Sequence, residues 1–181
     1  TRGGRQAHRP YVNKVIYKKI NKKENKLALC SAIAASALKE LVTKRGHKIE
    51  GIETLPLIIT DEVESVSNTS KMLNVLDSLN LTQDVKRLDN RKRRSGKPVL
   101  RGRASKIGKS VLFVVLNAER ISKSCSGIPG VDACSVKNLS VLDLAPGGTL
   151  IRLTVYSKKA IEYISKIESN HLKLMAIMQW M

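Results

Sequence analysis

The sequence predicts an α/β fold: a mostly parallel sheet with helices on both faces, plus basic extended segments. Two observations support this prediction. The run VLFVVL, residues 111–116, shows no alternation of apolar and polar positions, which is typical of a central parallel strand buried on both faces. Other short apolar runs alternate along the chain with segments of helical periodicity, and this alternation is typical of a sheet covered by helices.

The first predicted element of the globular body is one long helix over residues 21–46. Asn21 and Glu24 have the spacing of a capping box at its start, although Asn replaces the usual Ser or Thr. Gly46 suits the position just past its end, where a positive φ is common. The apolar residues expected to face the body recur at helical spacing: Leu27, Ala34, Leu38 and Leu41.

The next elements are a strand and a second helix. LPLIIT, residues 55–60, is a short apolar run between turn-like residues and predicts a buried strand. The helix that follows is expected to place Met72, Leu73, Leu76 and Leu79 on one face. After VLFVVL the sequence predicts, in order, a short helix (AERISKSCSGIPG), a strand (VDACSV), a helical turn (NLSVLDLAPGG), a strand (LIRLTVYS) and a final helix (KKAIEYISKIES).

Three regions are expected on this basis. Residues 1–20 form a basic arm that becomes ordered on a partner, because its glycines and dispersed cations do not suit a packed element. Residues 21–165 form the globular domain, which carries a basic loop at 88–110. Residues 166–181 form a C-terminal helix or tail, either packed on the body or, being rich in Met, docked on a partner.

Positive charge is concentrated in two segments of the chain, whose formal net charge is +18. Residues 1–26 contain nine Lys or Arg and one acid, and residues 86–109 contain eleven and one. The rest of the chain contains 13 basic and 13 acidic residues, so its net charge is zero. Such focused charge indicates a polyanionic partner, because neutralising phosphates releases condensed counterions. A surface that only confers solubility would mix the two signs.

No motif predicts catalysis, a metal site or a cofactor. The histidines have no metal-ligand spacing. GRASKIGKS has one residue more between its glycines than a phosphate-binding loop, and it precedes a strand instead of following one. Cys30, Cys125 and Cys134 lack CxxC spacing and are expected to be buried structural thiols in a reducing cytosol. The longest apolar run is far shorter than the ~20 residues that a membrane span needs.

Several phrases of the sequence resemble a known family. Four phrases occur in one order over residues 2–164: GGRQAHRP, KKINKKENKLALCSAIAASA, RKRRSGKPVLRGR with its following strand, and IPGVDACSVKNLSVLDLAPGGTLIRLTVYSKKAIE. Together they resemble the archaeal and eukaryotic form of the L4 family of large-subunit ribosomal proteins. Two departures are TLIRL after APGG, where a Pro-Gly is expected, and a tail after Ile164 that matches no family segment.

The resemblance implies an α/β body bound to large-subunit rRNA, a role in subunit assembly and a long loop that reaches toward the peptide exit tunnel. In the family that loop lies mainly upstream of GGRQAHRP, so the first strand and most of the loop are expected to lie outside residues 1–181. The implied partners are rRNA and neighbouring ribosomal proteins in the cytoplasm, with no membrane, small-molecule substrate or catalytic residue.

We expect the RNA contacts to come from the cations of the two basic segments and from the glycines that let the backbone approach RNA. The candidate RNA-binding residues are Arg2, Gly3, Gly4, Arg5, His8, Arg9, Lys18, Lys19, Lys22, Lys23, Arg91, Lys92, Arg93, Arg94, Lys97, Arg101, Arg103, Lys106 and Lys109.

Two other functions fit parts of the sequence. An RNA-modifying enzyme on a doubly wound sheet would share the fold class, but it would need a cofactor loop after the first strand. A regulator that binds its own messenger would use the same basic surface and is compatible with a ribosomal role.

Overall fold

A four-stranded parallel sheet forms the centre of the protein. The computed structural model describes residues 2–5, 7–9, 11–89 and 93–166. The strand order is β1-β4-β2-β3, so the predicted α/β class with a parallel sheet is confirmed. The strands are β1 (Leu57–Ile59), β2 (Leu112–Val115), β3 (Asp132–Ser135) and β4 (Thr154–Ser157).

Eight α-helices are found among the described residues, and together with two short 3-10 segments, Asp61–Ser65 and Val136–Asn138, they connect and cover the strands. The helices are α1 (Lys22–Ala35), α2 (Lys39–Lys44), α3 (Thr69–Ser78), α4 (Thr82–Lys86), α5 (Lys97–Leu100), α6 (Glu119–Ser126), α7 (Val141–Leu144) and α8 (Lys158–Lys166).

Strand β2 is buried on both faces, as the unbroken apolar run predicts. Phe113 and Val115 belong to one core cluster, while Leu112 and Val114 belong to the other. This division follows from the pleat, which points successive side chains to opposite faces of a sheet. Helices cover both faces: the first cluster contains buried residues of α2, α3 and α6, and the second contains residues of α1, α7 and α8.

The single helix predicted over residues 21–46 is wrong, because the chain forms two helices there. Ser36 ends α1, where its buried hydroxyl donates to the Ile33 carbonyl at 2.6 Å and lies 3.2 Å from the Tyr156 hydroxyl. Leu38 then adopts an extended conformation before α2. The break lets α1 pack on one face of the sheet while Val42 of α2 packs on the other.

The apolar face predicted for this region is also wrong. Leu27 and Leu38 are exposed, and the buried side of α1 is instead centred on Ala32. Nor does Asn21 cap α1 with its side chain; its amide donates to the Glu24 carboxylate at 3.2 Å. The predicted burial fails because the spacing assumed one continuous helix, whereas the two observed helices face different cores.

Strand β1 departs from its prediction as a buried strand. It pairs only with β4 at the edge of the sheet, and the Ile58 side chain is 57% exposed. Helix α3 is close to its prediction, with Met72 and Leu76 fully buried, but Leu73 is exposed. These differences arise because an edge strand and a surface helix each bury one side only.

The second basic segment is not fully extended. Within it, residues 93–109 fold back as a hairpin that carries the short helix α5 at its tip, and we call this hairpin the basic finger. The basic arm, in contrast, has no helix or strand among its described residues 2–5, 7–9 and 11–20. Residues 167–181, for which the sequence predicts a packed or docking tail, lie outside the described residues.

Candidate nucleic-acid interface

The basic arm presents its cations to solvent. Every described residue of the arm is exposed, including the candidates Arg2, Gly3, Gly4, Arg5, His8, Arg9, Lys18 and Lys19. The Arg9 guanidinium lies over the Tyr11 ring, 5.4 Å from its centroid. The arm also exposes six large apolar side chains, which a folded chain normally buries: Tyr11, Val12, Val15, Ile16, Tyr17 and Ile20.

Lys22 and Lys23 follow the arm as the first two residues of α1. Both are exposed. Positive charge is unfavourable at a helix N-terminus, because the unpaired N–H groups there already carry a partial positive charge. These lysines therefore do not serve the stability of the helix, which is consistent with a role in binding an anion.

The basic finger is braced by backbone contacts. Arg93 and Ser105 form an antiparallel bridge, and the Arg94 N–H donates to the Ala104 carbonyl at 2.8 Å. At the tip, the Arg103 N–H donates to the Pro98 carbonyl at 2.8 Å. Gly102 has φ +72° at the turn after α5, a conformation that favours glycine. The finger is therefore a folded hairpin with a defined tip.

All described residues of the finger are exposed, and most of its cations form no ion pair with another described residue. Lys109 is the exception, with its Nζ 2.7 Å from the Asp132 carboxylate. The candidates Arg91 and Lys92 lie outside the described residues. The finger cations that form no ion pair with another described residue are Arg93, Arg94, Lys97, Arg101, Arg103 and Lys106.

A buried carboxylate lies where the finger joins the body. Asp84 of α4 accepts a hydrogen bond from the Ser110 hydroxyl at 2.5 Å and lies 3.0 Å from His47 Nδ1. It also accepts from Arg87 Nε at 2.9 Å and from the Lys48 N–H at 3.0 Å. Asp84 is completely buried, so these four contacts replace the water that the carboxylate loses.

The turn after α2 places His47 in this network. The Gly46 N–H donates to the Thr43 carbonyl and the His47 N–H to the Val42 carbonyl, which is the pattern of a Schellman motif. Gly46 has φ +96°, so its predicted place just past the helix end is confirmed. The motif ends α2 and directs His47 into the core, where only 4% of the residue is exposed.

Arg152 is a second buried charge at the same end of the sheet, where the strands begin. It precedes β4, is 2% exposed, and donates to the carbonyls of Ser110, Val111 and Gly130. Its Nη1 lies 2.7 Å from the Asp132 carboxylate. Burial lowers the pKa of Arg152, and the nearby Asp132 opposes that shift. Arg152 thereby joins the segments that lead into β2, β3 and β4.

Sequence reasoning missed this network. His47 reads as a turn residue, and Asp84 and Ser110 are separated along the chain, so no local pattern brings them together. Arg152 did leave a signal, because a charged residue interrupts the apolar strand LIRLTVYS. A charge inside a predicted buried strand indicates a paired ion, since an unpaired one would be too costly.

The Asp84 carboxylate should make the protein sensitive to acid. Burial by itself raises the pKa of Asp84, but hydrogen bonds from His47, Ser110 and Arg87 outweigh it and hold the pKa far below its ordinary value. A carboxylate with a lowered folded-state pKa stabilises the protein above its unfolded pKa of about 4, and this stabilisation is lost as the pH falls further.

We therefore expect the free energy of unfolding to fall steadily as the pH is lowered below about 4, measured by urea denaturation at a series of pH values. The variant Asp84→Asn should show a shallower fall. Some pH dependence of the free energy of unfolding should remain in that variant, because the pKa of Asp132 is also lowered. Identical pH profiles for the two proteins would show that Asp84 does not contribute.

The cysteines do not form a reactive site. All three are free; Cys125 on α6 is buried and Cys30 and Cys134 are half-buried, so only Cys125 fully matches the predicted burial. Burial raises the pKa of the Cys125 thiol to about 12 and that of Cys134 to about 11, which keeps both protonated. Among the described residues, no His, Cys, Asp and Glu side chains gather into a group of three that could hold a metal ion.

An acidic cleft lies at the opposite end of the strands, where they finish. Cofactors of doubly wound enzymes bind at the carboxyl ends of the strands. Here that position, after β1 and β2, is lined by Asp61, Glu64 and Glu119 together with Arg120, and the Lys159 Nζ lies 3.9 Å from the Asp61 carboxylate. Glu64 is already occupied, because it accepts from the Leu116 N–H at 2.9 Å and from other donors. The acidic lining disfavours a nucleotide phosphate there.

Comparisons with known proteins agree on one family. A model of the ribosomal protein L4/L1 family matches residues 1–167. The large ribosomal subunit protein uL4 of Methanococcus maripaludis is 44% identical over 164 residues, which cover 90% of this chain and 65% of the relative. The protein of the same name from Sulfurisphaera tokodaii is 43% identical over 176 residues, which cover 96% of this chain and 66% of the relative.

A third relative, uL4 of Pyrobaculum aerophilum, is 44% identical over 165 residues, covering 90% of this chain and 58% of the relative. The chain thus spans just under two thirds of the length of the curated relatives that it matches. None of the helices in the described part of the chain combines the length and the apolar character that crossing a membrane requires.

Proposed function

This chain belongs to the ribosomal protein L4/L1 family, and from that premise we propose that it is a structural constituent of the large ribosomal subunit. In this proposal it binds rRNA through its two basic segments, the arm with the start of α1 and the basic finger. The observation that carries the proposal is the finger: a braced hairpin with six exposed cations that form no ion pair among the described residues.

The chemistry of these cations suits folded RNA. Arg side chains donate in a fork that matches phosphate oxygens, while Lys supplies a point charge. A narrow hairpin can enter between RNA helices where the globular body cannot. Such contacts position a protein on its RNA, and the shape of the RNA supplies specificity.

The arm supports the same role by a different combination of groups. Its exposed lysines and arginines alternate with apolar side chains such as Tyr11, Ile16 and Tyr17. Aromatic rings can stack on unpaired bases, and aliphatic side chains can pack on a neighbouring protein. A segment with both features suits a place where rRNA and other ribosomal proteins meet.

Two features at opposite ends of the strands, the finger and the acidic cleft, orient the protein in this proposal. The finger leaves from the side of the sheet where the strands begin, which we call the amino edge, because Lys109 and Ser110 lead directly into β2. The acidic cleft lies at the carboxyl edge, after β1 and β2. The amino edge therefore faces the RNA and the carboxyl edge faces away from it. This polarity also argues against an RNA-modifying enzyme with a cofactor at the carboxyl edge.

The proposal extends to the finer expectations from the family. The arm, residues 1–20, is the end of the loop that approaches the peptide exit tunnel. Residues 21–165 are the domain bound to rRNA, and residues 166–181 are a C-terminal helix or tail. The protein supports subunit assembly as part of the cytoplasmic ribosome and has no catalytic role.

Charge reversal in the finger tests the proposal. We expect Arg93→Glu, Arg94→Glu and Arg101→Glu together to exclude the protein from large subunits, because each replacement turns a phosphate contact into a repulsion. The measurement is sedimentation of cell extracts in a sucrose gradient, with the triple variant introduced into the full-length protein. Crosslinking to RNA in the same cells should lose the positions bound by the finger.

A matched control keeps the change in charge and moves it to the neutral body. Lys71→Glu, Lys123→Glu and Lys137→Glu alter three exposed lysines on or beside α3, α6 and the second 3-10 segment. This variant should enter large subunits normally. Normal incorporation of the finger variant would refute the role assigned to the finger, and exclusion of both variants would mean that total charge matters, not its location.

A further inference from the structure

We propose that Asp84, Leu88 and Arg152 are positioning residues for RNA binding: they hold the two ends of the basic finger together and so fix the direction in which its cations are presented. This inference rests on the proposed function, since it concerns how the finger binds RNA. The two ends, which we call the finger base, are residues 84–88 on entry and 108–110 on exit.

Hydrogen bonds join the two sides of the finger base. Ser110 on the exit side donates to Asp84 on the entry side at 2.5 Å. Arg87 on the entry side donates through Nη2 to the Lys109 carbonyl at 3.2 Å and through Nε to Asp84 at 2.9 Å. The chain between these residues is therefore tied into a closed loop by side chains that belong to the body.

The finger base is also closely packed at two glycines, where an added methyl group would have to displace the Leu88 side chain at Gly108 and would meet backbone atoms at Gly130. A Cβ atom on Gly108 would lie 2.6 Å from Leu88 Cδ2. A Cβ atom on Gly130 would lie 2.6 Å from the Gly108 carbonyl oxygen and would approach Leu88 Cδ1 as well. Leu88, which is 7% exposed, is thus held between the exit side of the finger and the turn before β3.

Arg152 attaches the exit side to the sheet. Its guanidinium donates to the Ser110 carbonyl, to Val111 at 2.8 Å and to Gly130 at 2.7 Å. The Ser110 N–H in turn donates to the Gly130 carbonyl at 2.7 Å. The exit side therefore cannot swing without breaking buried hydrogen bonds, which would leave unpaired polar groups in the core.

These contacts have an effect on binding that stability alone does not capture. A hairpin that is braced within residues 93–105 and fixed at its base loses little conformational freedom when it binds a folded RNA. A loop with the same charges and a loose base would still attract phosphates, because that attraction needs no fixed geometry. Loosening the base should therefore weaken binding to folded RNA and leave binding to an unstructured polyanion nearly unchanged.

The replacement Gly108→Ala tests this prediction in the full chain. It adds one methyl group against Leu88, and Gly108 lacks the positive φ that would add backbone strain. We expect affinity for deproteinised large-subunit rRNA to fall by about tenfold and affinity for poly(U) to change by less than about twofold. Combining it with Leu88→Val, which shortens the opposing side chain, should restore much of the loss.

Gly127→Ala is a closely matched control. Its Cβ atom would meet Thr69 Cγ2 at the same 2.6 Å, but at the contact between α6 and α3, away from the finger. It should destabilise the fold by a similar mechanism and leave both affinities unchanged. If Gly108→Ala does not fold, Ser110→Ala replaces it, since that change removes only the hydrogen bond to Asp84.

A second part of the experiment separates this inference from the proposed function. The finger-neutral variant replaces by Gln all six finger cations that form no ion pair with another described residue, namely Arg93, Arg94, Lys97, Arg101, Arg103 and Lys106. If it binds rRNA as tightly as the unmodified chain, the finger is not an RNA contact and the proposed function fails for this segment. If it binds weakly, Gly108→Ala should add no further loss in that background. Two results would overturn the positioning role alone. One is an equal loss of rRNA affinity when Gly108→Ala is added to the finger-neutral variant, and the other is an equal loss of affinity for poly(U) in the Gly108→Ala chain.

Discussion

Replacing Asp84 by Ala is expected to lower the free energy of unfolding by about 3–5 kcal/mol, because it removes one partner of a buried charged network. The replacement leaves His47, the Ser110 hydroxyl and the Lys48 N–H without their acceptor. It also removes the carboxylate that balances Arg87. Urea denaturation followed by circular dichroism measures the change, which is large relative to the total stability of about 5–15 kcal/mol typical of a domain.

Asp77→Ala is the control for this prediction. Asp77 lies on α3 with its side chain exposed, so its loss should change the free energy of unfolding by less than about 0.5 kcal/mol. A change below about 1 kcal/mol for Asp84→Ala would mean that water or a rearranged His47 replaces the lost contacts and that the network does not stabilise the fold.

Replacing Lys18, Lys19, Lys22 and Lys23 by Gln is expected to weaken binding to large-subunit rRNA by roughly a hundredfold at about 0.1 M salt. Each phosphate contact accounts for ~0.8 logarithmic units of affinity under that condition, and we expect about three of the four lysines to make one. The slope of log affinity against log salt concentration, on the order of −7 to −9 for the unmodified chain, should become shallower by about 2–3.

The same replacement should raise, not lower, the midpoint of thermal unfolding. Lys22 and Lys23 occupy the first turn of α1, where neutral side chains interact more favourably with the helix dipole. The control replaces Lys71, Lys123 and Lys137 by Gln and should change the salt slope by less than about 1. An equal change of slope in the control would contradict the assignment of binding to the arm and the start of α1.

The sequence predicts the sheet well because burial on both faces leaves a local signature. VLFVVL is apolar at every position, and β2 lies between β4 and β3 with both faces covered. The charge distribution is equally local, so the basic segments can be recognised from composition alone. In both cases neighbouring residues share one environment, and a short stretch of sequence records it.

The sequence predicts the break between α1 and α2 poorly, because its cause is distant. Ser36 ends α1 next to the Tyr156 hydroxyl, and this partner lies 120 residues away in the sequence. The Ala-rich run gives no sign that the chain crosses from one face of the sheet to the other at this point. Helix periodicity therefore predicts the type of element correctly and its buried side incorrectly.

The buried polar network at the finger base could not be predicted for the same reason. His47, Asp84 and Ser110 come from three separate segments, and each looks like a surface residue in its own neighbourhood. Their contacts depend on how α2, α4 and the start of β2 meet. The sequence thus predicts which part of the chain is basic, whereas the structure is needed to see how the finger is held.

Synthesis must reach β4, the last of the four described strands, before the described sheet can form. Strand β4 lies between β1 and β2, pairing Val155 with Leu57 and Thr154 with Leu112. Until β4 emerges, β1 has no neighbour among the described strands, and Arg152 is not yet present to bind the Ser110 carbonyl. Pairing between such distant segments is slow and leaves apolar surface exposed meanwhile. The nascent chain therefore carries its basic arm and finger before the described sheet is complete.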